Sequence, residues 1–354
     1  VSVVRLQKEL QIDEVVASLL IQRGIETYDD AKTFFRPSLN DLHDPFLMKD
    51  MDVAVSRIEE ALEKEENILV FGDYDVDGTS SVALMSSYLK TKTDNITTYI
   101  PDRYDEGYGV SYKGIDFAHD NDFTLIIALD CGVKAIDKVS YAKGKGIDFI
   151  ICDHHRPGKV LPDAIAVLDP KREDCEYPYK ELCGCGVGFK LIQALASKED
   201  KNVEELAEYL DLVATAIGAD IVPITGENRA LAYFGLQVIN KKPRPGIKAI
   251  INQVKKDVLT ITDVVFIVAP RINAAGRMKH GNYAVALLTE TDMELAEEYA
   301  AEIEEFNAER RETDKRITEE ALQHIESKNE QELFTTVVYQ ENWHKGVIGI
   351  VASR

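Results

Sequence analysis

Three short apolar runs, NILVFG, TLIIAL and IDFIIC, each stop on residues that bind cations or carry protons. Runs so rich in Ile, Val, Leu and Phe read as strands buried on both faces, the signature of an open parallel sheet covered by helices. The first gives way to Asp73, Asp75 and Asp77, the second to Asp130, and the third to Asp153, His154 and His155. In such sheets ligands bind outside the carboxyl ends of the strands. Successive strand ends would therefore deliver several carboxylates and two imidazoles to one place. That predicts a metal site, and one for two ions.

The rest of the chain fits this frame. Residues 1–50 read as short helices and turns, with an irregular stretch FFRPSLNDLHDPF. A helix over 51–65 feeds the first strand, 67–71. Helices at 79–91, 111–120 and 134–144 then alternate with strands at 96–100, 123–129, 147–152 and 164–168, which argues for an α/β class with helices on both faces of a parallel sheet. From Gly186 to Leu288 the pattern is helical. Residues 291–328 form one long charged helix, polar nearly all round, of the kind that bridges two domains. After it FTTVVYQ predicts a strand, and WHKGVIGIVASR a turn into a helix. One strand and one turn cannot fold alone, so this end reads as the start of a second α/β domain and the sequence as a fragment. The expected divisions are 1–50, 51–290, 291–330 and 331–354.

Composition narrows the class. No apolar run approaches the roughly 20 residues that span a bilayer, and the start, VSVVRLQKEL, lacks the layout of a signal peptide. Five cysteines, an odd number without regular spacing, fit a reduced cytoplasmic protein. Cys175, Cys183 and Cys185 lack the second pair or histidines of a zinc finger, and the glycines at 184, 186 and 188 read as a tight turn before a helix. The net charge of −21 weighs against simple nucleic-acid binding, because affinity for a polyphosphate comes from Lys and Arg. A nucleic-acid enzyme of this charge needs a local basic groove, bound metal ions, or a segment outside the sequence.

Several constellations carry chemistry. Asp73, Asp75 and Asp77 sit on one tight turn closed by Gly78, and hard cations such as Mg²⁺ and Mn²⁺ prefer carboxylate oxygens. A capped helix with solvated acids is the plain alternative. Asp130 ends a buried run, where an unpaired carboxylate is costly. In CDHHRPG one histidine suits a ligand and the other a substrate phosphate, with Asp153 orienting an imidazole. Asp220 follows an apolar helix in GADIVP. Arg271, Asn273 and Arg277 lie in RINAAGR, whose small residues let a backbone approach a ligand, and arginine forks receive phosphate. Arg103 stands beside Tyr104, Tyr108 and Tyr112, which suit base stacking or ordinary packing equally.

Taken in order, GDYDVDG, LDCG, DHH, GADIVP and RINAAGR resemble the DHH phosphoesterase family, and within it the bacterial exonucleases specific for single-stranded DNA. The resemblance runs over nearly the whole chain. It implies a core of two ions, Mn²⁺ or Mg²⁺, with Asp75, Asp77, Asp130, His154 and Asp220 at the ligand positions and Asp130 as the bridge. Asp73 and Asp153 fall beside them, as supports or further ligands. His155 matches the residue that meets the scissile phosphate. Arg271, Asn273 and Arg277 match the grip on the nucleic-acid backbone, with Arg103, Ser353 and Arg354 as weaker matches. The implied activity is 5′-to-3′ hydrolysis of single-stranded DNA in recombination and repair, with a helicase and a single-strand-binding protein as partners and no membrane. In that family a glycine-rich DHH-associated domain follows, of which residues 331–354 would be the beginning. A small-substrate phosphoesterase acting on oligoribonucleotides, cyclic dinucleotides or pyrophosphate is the rival within the superfamily. A scaffold that has lost its ligands is the rival outside catalysis, and here every ligand position is filled.

Overall fold

The computed structural model describes residues 3–254 and 256–353. Five parallel strands, β1 (Asn67–Gly72), β2 (Ile96–Tyr99), β3 (Phe123–Leu129), β4 (Asp148–Cys152) and β5 (Ala166–Leu168), form one sheet in the order β2-β1-β3-β4-β5. The order reverses between β1 and β3, which leaves a crevice at their carboxyl ends. Strand side chains alternate between two cores, as a period of two requires. Ile68, Val70, Leu125, Ile127, Leu129, Ile150 and Cys152 face the larger core. Leu69, Phe71, Ile126, Ala128, Phe149 and Ile151 face the smaller one. Helices α4 (Met51–Glu63), α5 (Val76–Leu89) and α8 (Gly184–Ser197) cover the first face, while α6 (Tyr112–Asp120) and α7 (Ile136–Gly144) cover the second. The expected α/β architecture is the one observed.

The remaining helices extend the larger core. Three short ones, α1 (Val3–Leu10), α2 (Glu14–Gln22) and α3 (Tyr28–Phe35), make a small cluster around Leu6, Leu20 and Ile25. Beyond the sheet come α9 (Leu210–Asp220), α10 (Gly226–Lys241), α11 (Pro245–Val254) and the single turn α12 (Ile261–Asp263). A π-turn at Val264–Val268 leads into α13 (Ala269–Met278), followed by α14 (Asn282–Thr289), α15 (Met293–Ser327) and α16 (Lys345–Val351).

One expectation gains detail here and another changes. The long helix α15 carries a buried stripe, Ala296, Ala300, Ile303, Ile317 and Ala321, that packs on α11, α13 and α16. Ala300, Ile303 and Ile317 recur at helical spacing in the sequence, as a buried face requires. The strand expected in FTTVVYQ is absent, and residues 334–340 run without regular structure, with Phe334, Val337 and Tyr339 exposed. β-Branched residues favour a strand only where a neighbour pairs with it and packs against it, and no strand pairs with this segment among the described residues.

A buried ion pair ties the N-terminal segment to the helices that cover the sheet. Lys190 of α8 lies 3.1 Å from Glu227 of α10, both side chains almost wholly buried, and its Nζ donates to the His43 carbonyl at 2.6 Å. Glu227 accepts from the Tyr177 hydroxyl at 2.7 Å and from the His43 amide at 2.9 Å. Truncation of one partner strands a buried charge. Glu227→Ala is therefore expected to destabilise the fold by about 3–5 kcal/mol, read by urea denaturation, and to open residues 36–50 to limited proteolysis.

At the end of β5, Asp169 is fully buried, accepts from the Lys171 amide at 2.7 Å and leaves Oδ2 without a hydrogen bond. Burial pushes its carboxyl up to about 7, above an unfolded value of about 3.9. The folded state thus holds the proton more tightly, and this group's contribution is intact below about pH 4 and lost as pH rises to about 7. Asp169→Asn avoids that loss. In EDTA the variant is expected to gain on the order of 4 kcal/mol over the parent between pH 4 and pH 8, measured as the difference in unfolding free energy at each pH.

Candidate metal centre

The turn after β1 builds the first wall. Asp75 caps α5, its Oδ1 accepting from the Gly78 amide at 2.9 Å. A Cβ on Gly78 would stand 2.4 Å from the Asp73 carbonyl oxygen, so the turn closes this tightly only around glycine. Asp73 is buried, accepts from the Gly109 amide at 3.1 Å and leaves Oδ2 unpartnered. Burial, then the neighbouring Asp75, push its carboxyl up to about 7. Asp77, the second residue of α5, is buried with its carboxylate turned into the crevice.

Asp130 forms the floor. It sits directly after β3 in the left-handed region, φ +59°, where a short polar side chain is tolerated best, and its amide donates to the Cys152 carbonyl at 2.8 Å. Its Oδ1 is buried without a hydrogen bond. Burial, then Asp77 and Asp75, raise its pKa far above the ordinary carboxylate range. From β4, His154 brings Nε2 to 3.2 Å from Asp130 Oδ1, 3.8 Å from Asp77 Oδ2 and 3.7 Å from Asp220 Oδ2. Burial holds this ring neutral, well below its usual pKa. Asp220 arrives at the C-terminus of α9, whose next residue, Ile221, is β-branched yet has φ +56°. Such a residue is a true outlier, held by its surroundings, and it turns the chain sharply beside the site. Burial and Asp75 push Asp220 up to about 6.

Two groups of potential ligand atoms result, Asp130 with His154 and His155, and Asp77 with His154 and Asp220, each within 4.8 Å. Buried carboxylate oxygens without donors, facing a neutral imidazole, fit hard divalent cations. Asp75 stands close enough to raise Asp73, Asp77, Asp130 and Asp220, although Oδ1 serves as a helix cap. Asp153 has another task. Its Oδ1 accepts from the amides of His154 (2.7 Å) and His155 (3.1 Å) and faces His155 Nδ1 at 2.8 Å, and its Oδ2 accepts from Val133 at 2.9 Å. Burial alone would raise its pKa, but these bonds outweigh it and the carboxyl stays ionised. His155, its pKa raised by Asp153, keeps nearly half its side chain in solvent. Tyr108 is the neighbour sequence reading did not connect: its hydroxyl lies 3.2 Å from His155 Nε2 and 3.4 Å from the Asp130 carbonyl.

The arginines divide. Arg103 stacks on Tyr74, 3.8 Å from the ring centre, and its Nε donates to the Gly276 carbonyl at 2.9 Å. Arg277 Nη1 donates to the Gly346 carbonyl at 2.8 Å, and burial followed by Arg103 and Arg310 depresses its pKa. These cations gather beside the β1 turn. Arg271 turns the other way, onto Glu304 of α15 at 2.7 Å. Asn273 Oδ1 is buried without a partner. The small residues of RINAAGR serve contact within the protein: a Cβ on Gly276 would meet the Tyr74 carbonyl oxygen at 2.3 Å. Ser353 is exposed, its hydroxyl donating to the Ile350 carbonyl, and Arg354 lies outside the described residues.

Comparison with known proteins agrees with this geometry. Residues 67–217 match the model of the DHH family, N-terminal domain. The single-stranded-DNA-specific exonuclease RecJ of Bacillus subtilis is 40% identical over 99% of this chain, which covers 44% of that relative. The chain spans about half the length of the curated relatives it matches. Among solved structures, exonuclease RecJ bound to manganese superposes with a TM-score of 0.80 at 31% identity, covering 89% of this chain and 78% of that one. RecJ from Thermus thermophilus in complex with Mn²⁺ gives 0.84 at 28%, covering 98% and 49%. The chain therefore belongs to the DHH family, on its RecJ exonuclease branch.

Proposed function

We propose that this chain is the catalytic core of a two-metal exonuclease that hydrolyses single-stranded DNA from the 5′ end. The observation that carries the reading is the buried, undonated Asp130 carboxylate facing neutral His154 between Asp77 and Asp220. Asp75, Asp77, Asp130, His154 and Asp220 would hold two ions, Mn²⁺ or Mg²⁺, with Asp130 between them. When bound, such ions polarise a phosphodiester and lower the pKa of water.

The chain's own groups do the rest. Asp153 fixes the half-exposed His155 ring through Nδ1, with Nε2 beside the Tyr108 hydroxyl, and favours positive charge on it where a phosphate would sit. Tyr108 braces that ring edge-on. Arg103 and Arg277, held close despite their mutual repulsion, form an anion receptor next to the metal ligands. Tyr74, already stacked under Arg103, and exposed Tyr104 and Tyr108 offer faces for unpaired bases. Family membership supports a role in recombination and repair, and a helicase and a single-strand-binding protein as partners. The five buried, unpaired cysteines suit the reducing cytoplasm.

The test is digestion of single-stranded DNA labelled separately at each end, with Mn²⁺ and with EDTA. Release of mononucleotides from the 5′ label, abolished by EDTA and reduced about 10³-fold by Asp130→Ala, is the expected result. Hydrolysis of a dinucleotide or pyrophosphate with DNA left intact would move the protein to the small-substrate branch.

A further inference from the structure

The loop CGCGVG was expected to be a tight turn; instead Gly184 opens helix α8, and its glycines lie inside the first turns. Cys183 is the N-cap, with Sγ accepting from the Gly186 amide at 3.3 Å. The helix start then points at a metal-site carboxylate. The Gly184 amide donates to Asp77 Oδ2 at 2.7 Å, and the Cys185 amide donates to Asp77 Oδ1 at 2.7 Å. These are two of the orphan donors every helix N-terminus presents, and here one carboxylate takes both.

The closeness has a steric condition. A Cβ built on Gly184 would lie 2.6 Å from both Asp130 Cβ and Oδ1, and 2.8 Å from Asp130 Cα. The neighbour that would have to yield is a side chain fixed at its backbone, next to a strained φ of +59°. Two positions later the situation is different. A Cβ on Gly186 would meet Leu182 at 3.4 Å and Cys183 Sγ at 3.6 Å, which is ordinary contact. Only one of the two glycines is thus required by the site.

We infer that Gly184 and the first turn of α8 are a positioning device for the metal centre, holding the Asp77 carboxylate in one rotation while letting the Asp130 carboxylate lie against the helix start. The inference rests on the two-metal reading above. Two N–H groups engage both Asp77 oxygens on one side, leaving their other lone pairs for cations. Without that clamp Asp77 can rotate, and with a side chain at 184 Asp130 cannot keep its place between the two ligand groups. Groups that orient ligands in this way typically change metal affinity by about 10–100-fold when altered. Gly184 touches no substrate; it acts through Asp77 and Asp130.

The experiment compares Gly184→Ala with Gly186→Ala, equal in helix propensity and two residues apart. Calorimetric titration with Mn²⁺ gives stoichiometry and affinity, and low-temperature electron paramagnetic resonance distinguishes spin-coupled pairs from single ions. The parent and Gly186→Ala are expected to bind two Mn²⁺ as a coupled pair. Gly184→Ala is expected to bind at least one ion about 10–100-fold more weakly and to lose the coupled signal. Two tightly bound, coupled ions in Gly184→Ala would overturn the inference. Should that variant not fold, Cys185→Pro decides, because proline is tolerated in the first helical turn and removes one donor to Asp77. The same loss of coupling there supports the device, and unchanged binding overturns it. A parent chain that binds no Mn²⁺ would overturn the two-metal reading and this inference together.

Discussion

Like-charge crowding at the β1–β3 crevice governs this molecule. Asp73, Asp77 and Asp130 are buried, Asp75 and Asp220 border them, and no lysine or arginine is ion-paired with any of the three among the described residues. Two unit charges 4 Å apart repel by about 4 kcal/mol at an effective dielectric of about 20. Several such pairs would consume a folding stability of about 5–15 kcal/mol. The fold therefore answers in two ways: protons stay on carboxyls whose pKa values rise toward neutrality, or cations enter. The same arrangement that makes the metal-free site unfavourable makes it a strong receptor for divalent ions.

The surrounding structure is arranged to hold this crowd in place. α5 offers a capped N-terminus to Asp75, α8 offers bare amides to Asp77, and α9 ends on Asp220, its carbonyl-rich end favouring positive charge. Asp153 gives its oxygens to amides and a ring rather than to the crevice. The result is a division of labour among acids of one type. Those with donors on both oxygens orient neighbours, and those left bare face the cations. Asp77 stands between the classes, since backbone donors hold it and still leave it beside His154.

What a sequence reading recovers here is local. The strands were legible because parallel strands buried on both faces are continuous apolar runs, and their ends name the site residues without any long-range knowledge. Contacts between distant segments were not legible. Gly184 meets Asp77 across more than a hundred positions, and Gly276 meets Tyr74 across about two hundred, so both glycines looked like turn or ligand-approach residues. The strand before Asp169 was legible, but the burial of that carboxyl was not, since it depends on the elements packed around the end of β5. FTTVVYQ had strand propensity, but no strand pairs with it among the described residues. Tyr108 was visible as an aromatic, but its place against His155 depends on left-handed glycines on either side, at φ +82° and +75°.

The charge of −21 is the remaining puzzle for a nucleic-acid enzyme, and the structure reduces it to a question of range. Exposed charges are screened over roughly 8 Å at physiological salt. Much of the acid is carried by α15, where Glu304 is spent on Arg271 and Arg311 rather than on the crevice. At the site itself the balance is set within a few ångströms, by Arg103, Arg277, a His155 whose pKa Asp153 raises, and the cations that the carboxylates attract. On the proposed function, a site so built would gain little from general attraction to DNA. It would depend on the fit of a single phosphate to a few fixed cationic groups, which the proposed action on a free strand end requires more than a long duplex track does.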